Sequence, residues 1–144
     1  MSYVIKPMTI KDFDEVTALW RATEGVGLSE SDSHENTVIY LKHNRGLSQV
    51  ARLENGKLVG AMLCGHDGRR GYLHHLAVAK DFRGQGIGTQ IVLRCLEKLN
   101  RLGIVKCNIF VYANNAGGKA FWKHLGWEIR NELRMMQVFT GRKK

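Results

Sequence analysis

The glycine loop, defined here as residues 83–89, contains the residues whose types and spacing are best suited to binding an anion. Its sequence is Arg-Gly-Gln-Gly-Ile-Gly-Thr, and a run with helical periodicity follows it. The first backbone N–H groups of a helix lack intrahelical partners and carry partial positive charge, which favours an anion. Glycines remove the Cβ atoms that would keep phosphate oxygens from these amides, while the arginine and threonine add a cation and a hydroxyl donor. Three alternate glycines behind an arginine therefore predict a diphosphate site rather than a simple helix start.

Two familiar nucleotide-binding motifs do not match the chain. A Rossmann fingerprint needs its glycine turn directly after the first strand and an acidic residue about 20 residues further on. The strand-like run 104–112, where that acid would fall, contains no Asp or Glu. A Walker A loop needs a glycine, four residues and then Gly-Lys-Ser/Thr, but Gly118-Lys119 is followed by Ala120. The glycine loop thus belongs to neither motif.

The glycine loop resembles the phosphate loop of the GNAT superfamily of N-acetyltransferases, whose motif is Arg/Gln-x-x-Gly-x-Gly/Ala at the start of a helix. A second block, Asn115 with residues 121–127, resembles the family's Asn-x-x-Ala-x-x-x-Tyr-x-x-x-Gly-Phe segment, with Gly118 in place of the usual alanine. Because both blocks occur with the family's spacing, the chain is identified as a member along most of its length. The resemblance implies an α/β (α+β) fold: a mixed, mostly antiparallel central sheet flanked by about four helices, with strands that splay apart at the cofactor site.

The same resemblance implies an activity and a cofactor. The chain would transfer an acetyl group from acetyl-CoA to a primary amine of a small molecule, peptide or protein, by direct attack in a ternary complex. Main-chain groups of one strand would pair with the pantetheine arm, the glycine loop would bind the diphosphate, and one asparagine would lie near the arm. The implied cofactor-binding residues are Leu76, Ala77, Val78, Arg83, Gly84, Gln85, Gly86, Ile87, Gly88, Thr89 and Asn115.

Two adjacent histidines compete for the role of general base. His74 and His75 lie in a predicted strand, so we expect their side chains to point to opposite faces. The Tyr72-x-His74 pattern resembles the arylalkylamine acetyltransferase branch, where a His-x-His pair at these positions relays the amine proton, and this favours His74. An imidazole, with a pKa near ~6.5, suits proton transfer at neutral pH. The alternative is a histidine that is hydrogen-bonded in the sheet or solvated.

The usual general acid of the family is missing. The tyrosine that protonates the thiolate falls at Trp122, and an indole does not serve as an acid catalyst. Tyr112, at the end of the adjoining strand, is the predicted substitute, with water or an unassisted thiolate as alternatives. The missing acid also motivates a second interpretation: a GNAT-fold protein that binds acyl-CoA without turnover, as a sensor or interaction module.

Composition restricts the remaining interpretations. The 144 residues are enough for one domain, spanning residues 1–144, with a sizeable buried core. The net charge of +9 suits a polyanion, but the basic residues are scattered and no nucleic-acid motif is visible, so coenzyme A is favoured over nucleic acid. Three isolated cysteines and the lack of a signal-like or membrane-spanning stretch predict a cytoplasmic protein with neither disulfides nor a metal site. A homodimer is left open.

Local patterns predict the elements that position these residues, in the order β-α-α-β-β-β-α-β-α-β-β. Thr9 and Asp12 form a capping-box pattern for a first helix that runs to about Thr23. Asn55-Gly56 predicts a hairpin turn between strands 47–53 and 57–64. The other predicted elements are strand 3–6, a helix around 38–41, strand 72–79, a helix from the glycine loop to Gly103, buried strand 104–112, helix 116–125, and closing strands 127–130 and 133–139. Four carboxylates are candidates to bind a cationic acceptor, although a solvated loop is favoured: Glu24, Glu30, Asp32 and Glu35.

Overall fold

The structure is a computed structural model that describes residues 2–141. The chain divides between Tyr112 and Ala113 into two compact units, and a single domain over residues 1–144 stays a prediction. The strands are β1 (Tyr3–Pro7), β2 (Gln49–Leu53), β3 (Leu58–His66), β4 (Gly71–Val78) and β5 (Cys107–Ile109). The α-helices are α1 (Phe13–Arg21), α2 (His34–His43), α3 (Ile87–Arg101) and α4 (Ala116–His124). No helix in the described range is long and apolar enough to cross a membrane.

The five strands form one sheet in the order β1-β2-β3-β4-β5. The first four pair antiparallel with their sequence neighbours, and β5 joins the edge parallel to β4. The β2–β3 turn contains the predicted Asn55-Gly56, in which Gly56 has a φ of +89°, as a tight hairpin requires. A mixed, mostly antiparallel sheet accompanied by four helices confirms the predicted fold class.

Strand β3 is the central element of the first unit, and helices cover both of its faces. A Cβ added at Gly60 would contact Ile91 of α3, whereas one added at Gly65 would contact Tyr40 of α2. Since residues an odd number apart on a strand face opposite sides, α3 covers one face and α2 the other. Helix α1 lies on the α2 face, where its Trp20 belongs to the same buried cluster as Ala61.

Helix α1 is fixed at its start by local and long-range polar contacts. The Thr9 backbone N–H donates to Asp12 Oδ2 at 2.8 Å, which confirms the predicted capping box. Arg52 of β2 donates to Asp12 Oδ1 at 2.6 Å and to both carboxylate oxygens of Glu15 at 2.8 and 3.1 Å. These contacts join the first turn of α1 to the sheet.

The end of the chain differs from the sequence-based prediction. Strand β5 has only three residues rather than the nine of 104–112, and Val105 and Phe110 are exposed rather than buried. The two closing strands, 127–130 and 133–139, are wrong: residues 127–141 form neither helix nor strand in the structure. High β-propensity forms a strand only where a neighbouring strand supplies ladder hydrogen bonds. Exposed apolar side chains in this segment include Ile129, Leu133, Met135, Met136 and Val138.

Candidate active site

The glycine loop leads directly into the N-terminus of α3. Gly84 and Gly86 have φ values of +79° and +83°, and Gly86 is the N-cap residue of the helix. No side chain caps α3, and its first backbone hydrogen bond runs from the Gln90 N–H to the Gly86 carbonyl at 3.0 Å. The backbone N–H groups of residues 84–89 have no hydrogen-bond partner among the described residues. These six amides fit an anionic group, because a buried or ligand-facing N–H needs an acceptor.

Open space lies beside two glycines of the loop. A Cβ added at Gly84 or at Gly86 would meet no atom within 4 Å. Arg83 is fixed beside the loop, since its Nε donates to the Val78 carbonyl at the end of β4 at 2.9 Å. Thr89 lies half-buried in the first turn of α3, next to the buried Ile87 and Gly88. The loop is therefore accessible to a ligand while its arginine is anchored to β4.

One edge of β4 is unpaired beside the loop. Pairing with β5 covers only Gly71 to Leu73, opposite Cys107 to Ile109. Pairing with β3 on the other side continues to Val78, opposite Gly60. The part of β4 from His74 to Val78 consequently has no strand on its β5 side within the described chain. Such an edge can form backbone hydrogen bonds with an extended, amide-containing ligand.

A β-bulge interrupts β4 at the two histidines. The register moves from Leu63 opposite His74 to Ala61 opposite Ala77, so β4 has one extra residue. His75 lies in this bulge and has a φ of +60°. Its ring lies 5.0 Å from Trp20 of α1, and the His74 ring lies 6.5 Å from Tyr40 of α2. Both histidines thus face the α1–α2 side, and the expectation that they point to opposite faces is wrong because a bulge breaks strand alternation.

His74 lies among aromatic rings and is half-buried. The rings of Tyr72 and Phe110 are stacked relative to it, with centroids at 6.4 and 6.1 Å. Burial lowers the pKa of His74, and the neighbouring His75 lowers it further, while Asp32 opposes the shift. Within residues 2–141 no hydrogen bond engages its ring nitrogens. His74 is therefore a neutral imidazole near neutral pH, with a ring nitrogen available to accept a proton.

His75, in contrast, is hydrogen-bonded to a carboxylate from a distant segment. Its Nε2 lies 2.9 Å from Asp32 Oδ1, and Asp32 Oδ2 accepts the Ser29 N–H at 3.0 Å. Burial raises the pKa of Asp32, but the hydrogen bonds from His75 and Ser29 outweigh it, so the pKa lies below its usual range. Asp32 is thus an engaged, partly buried carboxylate rather than part of a solvated loop.

The remaining predicted residues have separate environments. Tyr112 is exposed in the first unit, and its hydroxyl lies where a Cβ on Gly27 would stand. In the second unit, Asn115 caps α4 by accepting the Gly118 N–H at 2.9 Å. A Cβ at position 118 would lie 2.5 Å from the Asn115 Nδ2, which gives a steric reason for glycine where alanine is usual. Trp122 is buried and packs edge-on against Phe121 and Trp127, at 5.2 and 4.8 Å.

Sequence comparison decides the family. The family model described as the acetyltransferase (GNAT) family matches residues 13–127. The chain belongs to the GNAT family. Among curated relatives of this GNAT chain, an acetyltransferase from Sodalis glossinidius is 30% identical over 125 residues, 87% of each chain. An acetyltransferase from Yersinia pseudotuberculosis is 31% identical over 122 residues, 85% of each chain.

Solved structures show the same fold at lower identity. The PaiA N-acetyltransferase from Thermoplasma acidophilum, in complex with coenzyme A, is 19% identical with a TM-score of 0.78, covering 91% of this GNAT chain and 92% of its own. Ard1 from Thermoplasma volcanium is 16% identical with a TM-score of 0.79, over 90% and 85% of the two chains. The NatC complex bound to Gag peptide and coenzyme A is 21% identical with a TM-score of 0.73, covering 87% of this GNAT chain and 84% of its own.

Sequence reasoning missed the partners of the two histidines in this GNAT chain. Asp32 was one of four acidic candidates, and only the Ser29-x-x-Asp32 capping pattern indicated that its carboxylate is fixed. The pairing with His75 spans 43 residues, and no local pattern contains it. Phe110 and Tyr40 could have been found as aromatics near predicted strand and helix ends, but their approach to His74 depends on the sheet register.

Proposed function

We propose that this protein is an acetyl-CoA-dependent N-acetyltransferase that acts on a primary amine by direct attack in a ternary complex. Family membership supports acetyl transfer. The observation that carries the cofactor proposal is the row of six unpaired amides at the start of α3, next to the unpaired edge of β4. The unpaired amides would bind the diphosphate of coenzyme A, and the adjacent strand edge would bind the amide groups of its pantetheine arm. The three cysteines are free thiols, which supports a reducing compartment such as the cytoplasm.

The cofactor would be held mainly by backbone groups. The amides of residues 84–89, with the Arg83 guanidinium, would bind the diphosphate, and the main chain of Leu76, Ala77 and Val78 would bind the pantetheine amides. Asn115 is proposed as a further contact through its Nδ2 amide, since its Oδ1 already caps α4. When bound, acetyl-CoA supplies an activated acetyl thioester to the site.

His74 would act as the general base. An amine attacks only in its neutral form, so a residue near the acceptor must take up a proton. His74 suits this role because its lowered pKa keeps it neutral and its ring nitrogens have no partner in the described chain. Tyr112 is proposed as the proton donor to the departing thiolate; it is exposed and makes no ring contact with His74 among the described residues.

Two classes of acceptor amine are proposed, and a panel assay distinguishes between them. Structures of similar fold include the NatC complex with a peptide and the glucosamine-6-phosphate N-acetyltransferase from Arabidopsis thaliana, the latter at 19% identity and a TM-score of 0.67. Both peptide amines and small-molecule amines are therefore proposed as acceptors for this chain.

Calorimetry and a thiol-release assay test the proposal together. We expect saturable binding of coenzyme A, and release of free thiol from acetyl-CoA with at least one member of a panel of amines and amino-terminal peptides. Binding without release across the panel would favour the acyl-CoA sensor, which Trp122 at the usual acid position motivates. No saturable heat with coenzyme A or acetyl-CoA would refute the cofactor site itself.

A further inference from the structure

His75 has a backbone conformation that histidine rarely adopts. Its φ of +60° lies in the left-handed region, and in residues 2–141 every other residue with positive φ is a glycine. A Cβ disfavours this region, so a non-glycine residue remains in it only where surrounding contacts hold it there. The side-chain contacts of His75 therefore need to be considered together with its backbone.

A hydrogen bond and a close aromatic contact hold the His75 ring. Its Nε2 lies 2.9 Å from Asp32 Oδ1, and both side chains are largely buried, with 19% and 12% exposure. The Trp20 ring packs against it at 65° with a centroid distance of 5.0 Å. Asp32 is itself fixed by the Ser29 N–H. The imidazole thus connects the bulge of β4 to the segment before α2 through a hydrogen bond between two largely buried groups.

The geometry of the proposed cofactor edge follows from this bulge. Up to Leu73, β4 pairs with β5, and beyond the bulge its residues up to Val78 have no strand on that side in the described chain. A bulge bends the strand that contains it and increases its local twist. It also turns His74 and Ala77, which are three residues apart, to the same face. The direction of the free edge and the position of His74 therefore both depend on residue 75.

We propose that Asp32 and His75 form a positioning pair that holds the β4 bulge in the conformation required for cofactor binding along residues 76–78. This inference rests on the proposed function, because it assigns the pair a task within that same site. Asp32 and His75 are positioning residues here: they act on the backbone of β4 rather than on the reacting atoms.

A double-mutant cycle with coenzyme A tests the pair by calorimetry. Asp32→Asn weakens the hydrogen bond to His75, and we expect the dissociation constant to rise about tenfold. His75→Val removes the ring and introduces a β-branched residue that resists positive φ, so the rise should be larger. His75→Gly removes the ring but accepts positive φ, so affinity should stay closer to wild type than in His75→Val. In the His75→Gly background, Asp32→Asn should have no further effect.

The controls separate positioning from general stability. Asp14→Asn removes an exposed carboxylate of α1 that forms no ion pair in the described structure, and it should bind coenzyme A like wild type. Circular dichroism and thermal unfolding identify any variant that does not fold. If His75→Val does not fold, Asp32→Asn alone still tests the pair. A purely structural pair would lower the melting temperature but leave the dissociation constant of the folded variants unchanged.

Two results would overturn the inference. Wild-type affinity in Asp32→Asn would exclude the pair, and equal losses in His75→Gly and His75→Val would exclude the backbone conformation as the cause. Failure of the wild-type protein to bind coenzyme A is a different outcome, because it refutes the proposed function together with this inference. Binding by wild type with unchanged variants refutes the inference alone.

Discussion

At the scale of single residues, two neighbouring histidines have different chemical environments. His74 is surrounded by aromatic rings, its ring nitrogens have no hydrogen-bond partner within the described chain, and burial lowers its pKa. The Nε2 atom of His75 is hydrogen-bonded to Asp32 Oδ1 at 2.9 Å. A general base needs an available nitrogen, whereas a positioning residue needs a fixed partner. The geometry therefore separates the two proposed roles within one dipeptide.

The pH dependence of turnover tests the role of His74. We expect His74→Ala to lower kcat/KM by about 10²–10⁴-fold, the contribution typical of a general base. Protonation inactivates the base, and its pKa lies below the usual histidine value of 6.5, so the acid limb of the wild-type profile should lie below that pH. The variant should lose this limb. An unchanged profile would remove His74 from the mechanism.

A glycine of the loop provides a second test at this scale. Gly86→Ala would place a methyl group in the open space beside the loop whose amides are proposed to bind the diphosphate, and we expect the dissociation constant for coenzyme A to rise about tenfold or more. Gly103→Ala at the other end of α3 is the matched control. The φ values of Gly103 and Gly86 are +82° and +83°, and a Cβ added at either residue would meet no atom within 4 Å. Both variants should lose similar stability. Comparable coenzyme A affinity in both would exclude the loop as the diphosphate site.

At the scale of elements, α1 is joined to the sheet by a charged network centred on Arg52. Its guanidinium bonds to Asp12 and Glu15 and also donates to the Gly56 carbonyl at 2.7 Å. The hydrogen bond from Arg52 lowers the pKa of Glu15, although burial opposes this. Because α1 contributes Trp20 to the contacts around His75, this network supports the site from a distance.

Urea unfolding of Arg52→Met tests the network. We expect a loss of about 1–2 kcal/mol near neutral pH, since several charge-assisted hydrogen bonds disappear from a partly exposed site. The pKa of Glu15 is lower in the folded state, so its stabilisation is complete above its ordinary value of 4.5 and is lost as the pH falls through the folded value. The difference between wild type and variant should therefore shrink in acid.

Arg101→Met is the matched control for this measurement. Its ion pair with Glu97 on α3 is mostly exposed, at 73% and 53% for the two side chains. Removing an exposed i,i+4 pair changes stability by about 0.5 kcal/mol or less. An equal effect of the two substitutions, or a difference that grows in acid, would contradict the assignment of Arg52 as a link between α1 and β2.

At the scale of the whole molecule, the net charge of +9 acts over longer distances than any single contact. An excess of positive charge would attract a phosphorylated cofactor before it reaches its proposed site at the glycine loop. Because the charge is spread over the chain, its effect on binding depends on ionic strength rather than on one side chain.

Salt dependence of coenzyme A binding tests this contribution. Raising the salt concentration from about 0.1 M to about 1 M shortens the screening length from about 10 Å to about 3 Å. We expect the dissociation constant for coenzyme A to rise several-fold over this range. Pantetheine lacks the phosphates and is the control, so its weaker binding should change little. Equal salt dependence of the two ligands would exclude phosphate electrostatics as the cause.

The amino-acid sequence by itself determined the features that depend on neighbouring residues. The glycine loop, the Thr9–Asp12 capping box and the Asn55-Gly56 hairpin were all predicted, because each depends on conformational preferences and hydrogen bonds within a few residues. The mostly antiparallel sheet was implied by the resemblance of the two sequence blocks to the family. The predicted closing strands at 127–139 were wrong, since a strand requires a partner as well as propensity.

The tertiary structure alone decided how the two histidines are used. The extra residue in β4 depends on the register with β3, and His75, whose φ is positive, is hydrogen-bonded to Asp32, 43 residues away in sequence. Strand alternation predicts opposite faces for residues 74 and 75, and only the bulge places both on the α1–α2 side. Side chains that meet through sheet register and distant hydrogen bonds leave no periodic trace in the sequence, because their contact energy arises only once the chain has folded.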